Sequence, residues 1–274
     1  MLTMFNKKSQ NNKKSVVYTT TREAFMPVRL YYKIHNQHLL IKALRKLKCL
    51  AFGDDKRFIL AYYKEAKNLP LAVHYQDVPE GLYPITLAEG YIKQNSIMHL
   101  DIRSLRRAVY IIDFLVKYIP PTIAEITYFA NFNKLIVANN DQELQEIMTL
   151  DYDQFFTESR IKDIDNKIKI EEMKDVVSQD QNEALDNPQE KWNLFKSYIQ
   201  EQELDNYPEV ERIAVNYDRR SHDDLMEWLT FRAFMKEVIA IERHKGNINY
   251  TSIDAIKHLL TQSDINLEDD YDEE

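Results

Sequence analysis

The densest run of chemically capable side chains lies late in the chain, at Asp218-Arg219-Arg220-Ser221-His222-Asp223-Asp224, with Glu227 close behind. Carboxylates for a divalent ion, a histidine to move a proton and arginines for a phosphate are the parts of a metal-dependent nuclease or other hydrolase, with Asp218, His222, Asp223 and Asp224 as the metal set. Helix physics explains the same residues without chemistry. Ser221 is an N-cap, and Asp223, Asp224 and Glu227 occupy the first turns, where the helix dipole favours negative charge. The hydrolase needs further ligands that the sequence does not identify. The helix start is therefore the preferred account, and no metal or other cofactor is expected.

Two basic groups come next. Arg29, Tyr31 and Lys33 share one side of an alternating segment that continues to His35, and Lys42, Arg45 and Lys46 follow on an adjoining helix. Cations interleaved with an aromatic ring suit single-stranded nucleic acid, because phosphates take Lys or Arg while bases stack on the ring. If the helix covers the apolar side of the strand, however, its cations point away from those of the strand, and the two sets make no single patch. Arg103, Arg106 and Arg107 open a later helix, where the dipole disfavours cations by about a few tenths of a kcal/mol. Their expected partners are Asp101 and the acidic second half of the chain, ahead of an external phosphate. His35 and His38 have metal-compatible spacing but no third ligand, and His99 with Asp101 lacks a nucleophile.

Absences narrow the field further. The four glycines, Gly53, Gly81, Gly90 and Gly246, are too far apart for a phosphate-cradling loop or a dinucleotide fingerprint, and no nucleophile elbow or His-Glu-x-x-His run occurs. A single cysteine, Cys49, excludes an intrachain disulfide framework and a Cys-rich zinc site. The reading leans away from an enzyme.

Charge is divided unevenly along the chain. Residues 1–140 hold 21 Lys and Arg against 10 Asp and Glu, a net of +11, whereas residues 141–274 hold 15 against 34, a net of −19. Such asymmetry speaks to partners and association. Together with 17 tyrosines, a residue type enriched at interfaces, it favours a non-enzymatic binding, adaptor or regulatory protein acting through protein–protein contacts. A homodimer held by attraction between the halves is a further expectation. The alternative is a nucleic-acid-binding protein whose basic domain is gated by the acidic tail Leu267–Glu274. No apolar run approaches the roughly 18 residues that span a bilayer, and the polar start carries no secretory signal, so no membrane partner and a cytoplasmic home are expected.

The elements that must position these groups can be read from periodicity. Val28, Leu30, Tyr32 and Ile34 alternate with Arg29, Tyr31 and Lys33 as in a half-buried strand, and Asn36 caps a helix through Leu40, Leu44 and Leu47. Strands are expected at Arg57–Tyr63 and Leu71–Tyr75. About 68 residues later the layout recurs: a hairpin of Ile85–Lys93 with Ile97–Ile102, a helix capped by Ser104 and carrying Ala108, Val109, Ile112 and Leu115, then strands at Glu125–Phe129 and Lys134–Ala138. Beyond Asp141 the period is helical, with helices expected at Arg160–Asp180, from Pro188 through Trp192 and Phe195, and from Pro208 through Val210 and Ile213. A long helix starts at Ser221 and stops at Gly246, and a last one starts at Thr251.

The fold class expected is α+β: an N-terminal mixed sheet built from two strand-helix-strand-strand modules with helices on one face, followed by an all-helical C-terminal domain. The corresponding segments are a disordered basic arm (1–15), a basic α+β domain (16–140), a charged, partly helical connector (141–187), an acidic helical domain (188–262) and a disordered acidic tail (263–274).

Overall fold

The alternation of Val28, Leu30, Tyr32 and Ile34 with Arg29, Tyr31 and Lys33 is realised, in the computed structural model, as an inner strand of an eight-stranded sheet. The structure describes residues 2–4, 14–54, 56–94, 96–164, 197, 200, 204, 207–215 and 221–264. Its strands are β1 (Leu2–Met4), β2 (Ser15–Thr19), β3 (Val28–Ile34), β4 (Leu50–Phe52), β5 (Arg57–Ala61), β6 (Thr86–Lys93), β7 (Ile97–Ile102), β8 (Ala124–Phe132), β9 (Val137–Ala138), β10 (Ile161–Ile164) and β11 (Val210–Ala214). The helices are α1 (Gln37–Leu44), α2 (Leu105–Val116), α3 (Asp141–Met148), α4 (Tyr152–Phe155), α5 (His222–Lys245) and α6 (Ser252–Asp264). The protein is α+β with a helical C-terminal region, and it divides into one unit of residues 1–163 with 209–234 and another of 164–208 with 235–274.

In the first unit the large sheet has the order β10-β11-β8-β3-β7-β6-β5-β4. Every register described, from β11 to β4, is antiparallel. One face is apolar: Val28, Leu30 and Tyr32 of β3 lie beside Ile102, Leu100 and Met98 of β7, and all six are buried. α2 covers this face. Its N-cap Ser104 accepts from Arg107 N, and Ala108, Val109, Ile112 and Leu115 are buried as their spacing requires. α1, capped by Asn36, buries Leu40 and Leu44, and its following residue Arg45 stands over the ring of Phe52, which register assigns to the same face.

Gly90 is required by a close approach. It faces Phe58 across β5–β6, and a Cβ at this position would overlap the Phe58 ring. A bulge at Thr127 lets Tyr128 pair with Tyr31 while Ile126 pairs with Tyr32, so two residues that strict alternation would put on one face go to opposite faces.

Several elements differ from their sequence expectation. Leu71–Tyr75 is no strand; the chain there is irregular, and the Tyr62 hydroxyl donates to the carbonyl of Val73. Of Lys134–Ala138 only β9 is extended, pairing with β2 in a separate β1-β2-β9 sheet. Leu2–Met4, assigned to a disordered arm, is β1 and pairs antiparallel with β2. The predicted helices at Arg160–Asp180 and Pro208–Ile213 are corrected at Ile161–Ile164 and Val210–Ala214, which form β10 and β11. β11 supplies the hydrogen-bonding partner that β8 would otherwise lack, with Val210 opposite Phe132 and Ile213 opposite Phe129. Residues 209–234, expected in the helical domain, therefore belong to the sheet unit. The segments around Trp192 and Phe195 and at 265–274 lie outside the described residues.

In the second unit, α5 ends in a Schellman motif: Gly246, at φ +112, donates to Arg243 and Asn247 donates to Glu242. Thr251 donates from both its backbone N and its hydroxyl to the Asp254 carboxylate at the start of α6, pairing the two residues as their spacing predicts. Tyr207 packs beneath two cations, with Arg243 3.9 Å and Lys236 4.5 Å from its ring centre.

Candidate functional site on the polar face of the sheet

The face of the sheet opposite α1 and α2 is polar and aromatic. Register places Tyr128 of β8, Tyr31 of β3, His99 of β7, Tyr91 of β6 and Arg57 of β5 in a single row across five strands. The neighbouring row reads Ala130, Arg29, Asp101, Glu89 and Ile59. The rings meet edge to face, at 4.7 Å between Tyr31 and His99, 5.3 Å between Tyr91 and His99 and 6.4 Å between Tyr31 and Tyr128.

Cations already occupy the ring faces. Arg29 lies 5.4 Å and Lys93 5.1 Å from the centre of Tyr91, while Arg212 lies 5.1 Å from Tyr128 and 5.9 Å from Tyr31. Those cations are neutralised in turn. Arg29 donates from Nε and Nη2 to the two oxygens of Asp101 at 2.6 and 2.8 Å, and from Nη1 to Asp153 at 2.7 Å. Lys93 Nζ reaches Asp153 at 3.0 Å, and Arg212 holds Asp163 and Glu158 at 2.6 and 2.8 Å. Tyr152 and Asp153 come from α4, which is docked on this face by the Tyr152 hydroxyl donating to Ile102 O at 3.0 Å and by Phe156, buried against Ala130, Phe132 and Val210.

Burial opposes the charge on Arg29, but the bonds and charge of Asp101 outweigh it and hold the guanidinium protonated. Partial burial works against the Asp153 carboxylate as well, yet Lys93 and Arg29 pull it down to about 2. His99 is 8% exposed, and burial together with Arg29 and Lys93 lowers its pKa to about 3, so its imidazole is neutral at physiological pH. Its Nδ1 has no hydrogen-bond partner among the described residues. Burial pushes the Tyr91 and Tyr152 hydroxyls up, and both remain protonated donors.

Beside the row, a groove of about 510 Å³ runs between Arg57, Ile59, Glu89 and Tyr91 on the sheet and Met148 to Asp153 on the facing segment. Its charged lining residues balance: Arg29, Arg57, Lys93 and Arg103 against Glu89, Asp101, Asp151 and Asp153.

The residues singled out from sequence are thus dispersed. Arg29 is 2% exposed and committed to Asp101 and Asp153, Tyr31 lies within the aromatic row, and only Lys33 of that strand trio is free at the surface. Lys42 on α1 and Arg45 and Lys46 just after it stand by the other face, so the two basic sets do not merge. The arginines of α2 take separate partners, and Asp101 is not one of them. Arg103 meets Glu89 at 3.9 Å, Arg106 lies 5.9 Å from the Phe234 ring, and Arg107 is fully buried against Glu23 and Thr21. Asp101 is consumed by Arg29 and by the Tyr91 hydroxyl.

At the start of α5, Ser221 Oγ accepts from Asp224 N at 3.1 Å and donates to its carboxylate at 2.6 Å, the capping exchange expected there. His222 Nε2 lies 3.1 Å from Asp113, Asp223 is exposed, and Asp218 lies outside the described residues. Among the described residues no three His, Cys, Asp or Glu side chains converge on a point that would hold an ion, and no helix is long and apolar enough to cross a membrane.

Tyr91, Lys93, Asp153 and Arg212 escaped sequence reasoning. The alternation of Tyr91 and Lys93 about Ile92 carries the signal for the first two. Asp153, 124 residues from Arg29, has none. No protein-family model, curated protein or solved structure matches this chain.

Proposed function

We propose that this chain is a non-catalytic binding protein that engages a protein partner through the polar face of its large sheet. The observation that carries the reading is the row Tyr128, Tyr31, His99 and Tyr91, with its rings held by Arg212, Arg29 and Lys93 and every one of those cations matched to a carboxylate. Side chains that could perform acid–base or phosphoryl chemistry are spent on one another. His99 is a poor proton acceptor at its lowered pKa, and Arg29 spends donors from all three of its nitrogens on Asp101 and Asp153. A polyanion gains little here, since the groove carries no net charge and the ring faces are already covered.

Tyrosine, arginine and isoleucine held in fixed rotamers are what a protein interface uses, because little entropy remains to be lost on binding. Tyr128 and Ile97 are 41% and 38% exposed on this face, and Ile59 is 42% exposed at the lip of the groove. The test is a photo-crosslinking amino acid placed at position 97 or 128 of the full chain, with position 118 on the end of α2 as the reference. One polypeptide captured from both sheet positions, absent at 118 and, for the probe at position 97, lost in Tyr128→Ala with Arg212→Ala, supports the reading. Equal capture from all three positions, or none from the sheet, overturns it.

A further inference from the structure

Three donors from the sheet converge on a single carboxylate. Arg29 of β3 reaches Asp153 Oδ1 from Nη1 at 2.7 Å, Lys93 of β6 reaches it from Nζ at 3.0 Å, and the Tyr91 hydroxyl lies 3.2 Å away. Alternation along β6 puts Tyr91 and Lys93 on one face, and register through β7 brings Arg29 to the same face. The sheet, rather than α4, holds these donors in place. Arg29 is buried and clamped through Nε and Nη2 by both oxygens of Asp101, and the Tyr91 hydroxyl lies 3.1 Å from that carboxylate. Without Asp153 the cradle would keep two cations, Arg29 and Lys93, against one carboxylate, Asp101, a net of +1, with its donors already set for an anion. Ordinary surface pairs in this unit have no such support: Glu209 is held by Lys134 and Arg160, both of them exposed.

Asp153 is the loosest member of the group, with its side chain 57% exposed. Tyr152 and Phe156 dock α4 by separate contacts, so turning Asp153 out into water uncovers the cradle while the segment stays in place. The cradle opens on the groove described above, which Arg29, Tyr91 and Lys93 line, and whose opposite walls carry the exposed Ile59 and Met148. An incoming carboxylate replaces one of equal charge and leaves the groove neutral. A polyanion would bring its further charges against Glu89, Asp101 and Asp151.

Building on the sheet-face reading above, on which the assignment rests, we propose that Arg29, Tyr91 and Lys93 form a receptor for one carboxylate and take an Asp or Glu side chain of the protein partner in place of Asp153. An apolar neighbour of that acidic residue lies in the groove between Ile59 and Met148. Asp153 thereby acts as an internal competitor, which lowers the apparent affinity by the fraction of time it fills the cradle.

The experiment is thermal melting of the full chain in sodium acetate from zero to about 100 mM, with ionic strength held by chloride. Asp153→Ala should gain at least about 2 °C over that range, and Asp153→Asn, the milder change, should move the same way by less. The parent, in which Asp153 competes, should gain less than about half as much as Asp153→Ala. Tyr91→Phe or Lys93→Met in the Asp153→Ala chain should each cut the gain by about half or more. Glu209→Ala, which releases two exposed cations, should show no gain. Calorimetry then separates the sources: acetyl-Leu-Asp-amide should bind Asp153→Ala at least about tenfold more tightly than acetate does, and about tenfold more tightly than it binds the parent, whereas acetyl-Leu-Asn-amide should not bind. No acetate response in either Asp153 variant, or an equal one in Glu209→Ala, overturns the receptor. A peptide no better than acetate overturns the protein partner in favour of a small carboxylate. The acetate response is read without any partner, so failure of the cradle and failure of the sheet-face reading, which crosslinking decides, are told apart.

Discussion

Arg107 of α2 and Glu23 of the β2–β3 connection meet at 3.0 Å with side chains 1% and 3% exposed, which makes a charge pair inside the first unit. Thr19 and Thr21 also bond to Glu23, Ala72 N reaches its second oxygen, and Arg107 Nη1 donates to Thr86 O. Burial lowers the proton affinity of Arg107, and Glu23 opposes that shift. Removing one partner of such a pair leaves an uncompensated charge, so Glu23→Ala should cost about 3–5 kcal/mol in urea unfolding, whereas Glu23→Leu combined with Arg107→Met should cost less than the sum of the single changes. Additive losses would show that the two groups act separately.

His99 predicts a pH dependence. Its folded pKa of about 3 lies below the ordinary value of 6.5, so between these limits the unfolded chain binds a proton that the folded chain refuses. Stability should therefore fall as pH drops from about 6.5 towards about 3, with a slope of up to about 1.4 kcal/mol per pH unit from this group. His99→Phe keeps a ring between Tyr31 and Tyr91 and should flatten that slope in chemical denaturation. A further loss as Asp153 protonates, near 2 in the fold, should persist in the variant.

Gly90→Ala should destabilise the sheet by about 1–3 kcal/mol, because the added methyl displaces the Phe58 ring that lies on it. Phe58→Leu in the same chain should recover part of the loss, and thermal melting of the four-member set measures it.

A buried polar chain fastens β11 under α5: Asn131 donates to Asn133 at 2.7 Å, Asn133 donates to Glu211 at 3.0 Å, and Arg232 donates to the other oxygen of Glu211. Glu211→Ala leaves Asn133 and Arg232 without this acceptor and should cost about 3 kcal/mol. Amide exchange should rise first in residues 210–214 and in the start of α5. Uniform protection would show that the network does not hold this strand.

The caps at Asn36, Ser104, Ser221 and Thr251, the stop at Gly246 and the buried stripe of α2 all act within a few residues, so spacing alone was enough to find them. β10 and β11 were misread because Ile161, Ile164, Val210 and Ile213 sit three apart, a spacing short helices share with strands whose alternation is broken by a polar residue in a buried site. Glu211 is that residue, buried in β11 through partners on β8 and α5. The aromatic row depended on register, and register here depends on the bulge at Thr127, which has no local sequence mark.

Sequence by itself determined the class of fold, the places where helices begin and end, and the unequal division of charge between front and rear of the chain. The three-dimensional arrangement decided what that charge does. Asp153, Glu158, Asp163 and Glu209 lie in the acidic rear part, yet they fold into the first unit and neutralise Arg29, Lys93, Lys134, Arg160 and Arg212. Coulomb attraction acts through distance in space and is blind to separation along the chain, so the basic face legible at Arg29 is cancelled by a carboxylate more than a hundred residues away.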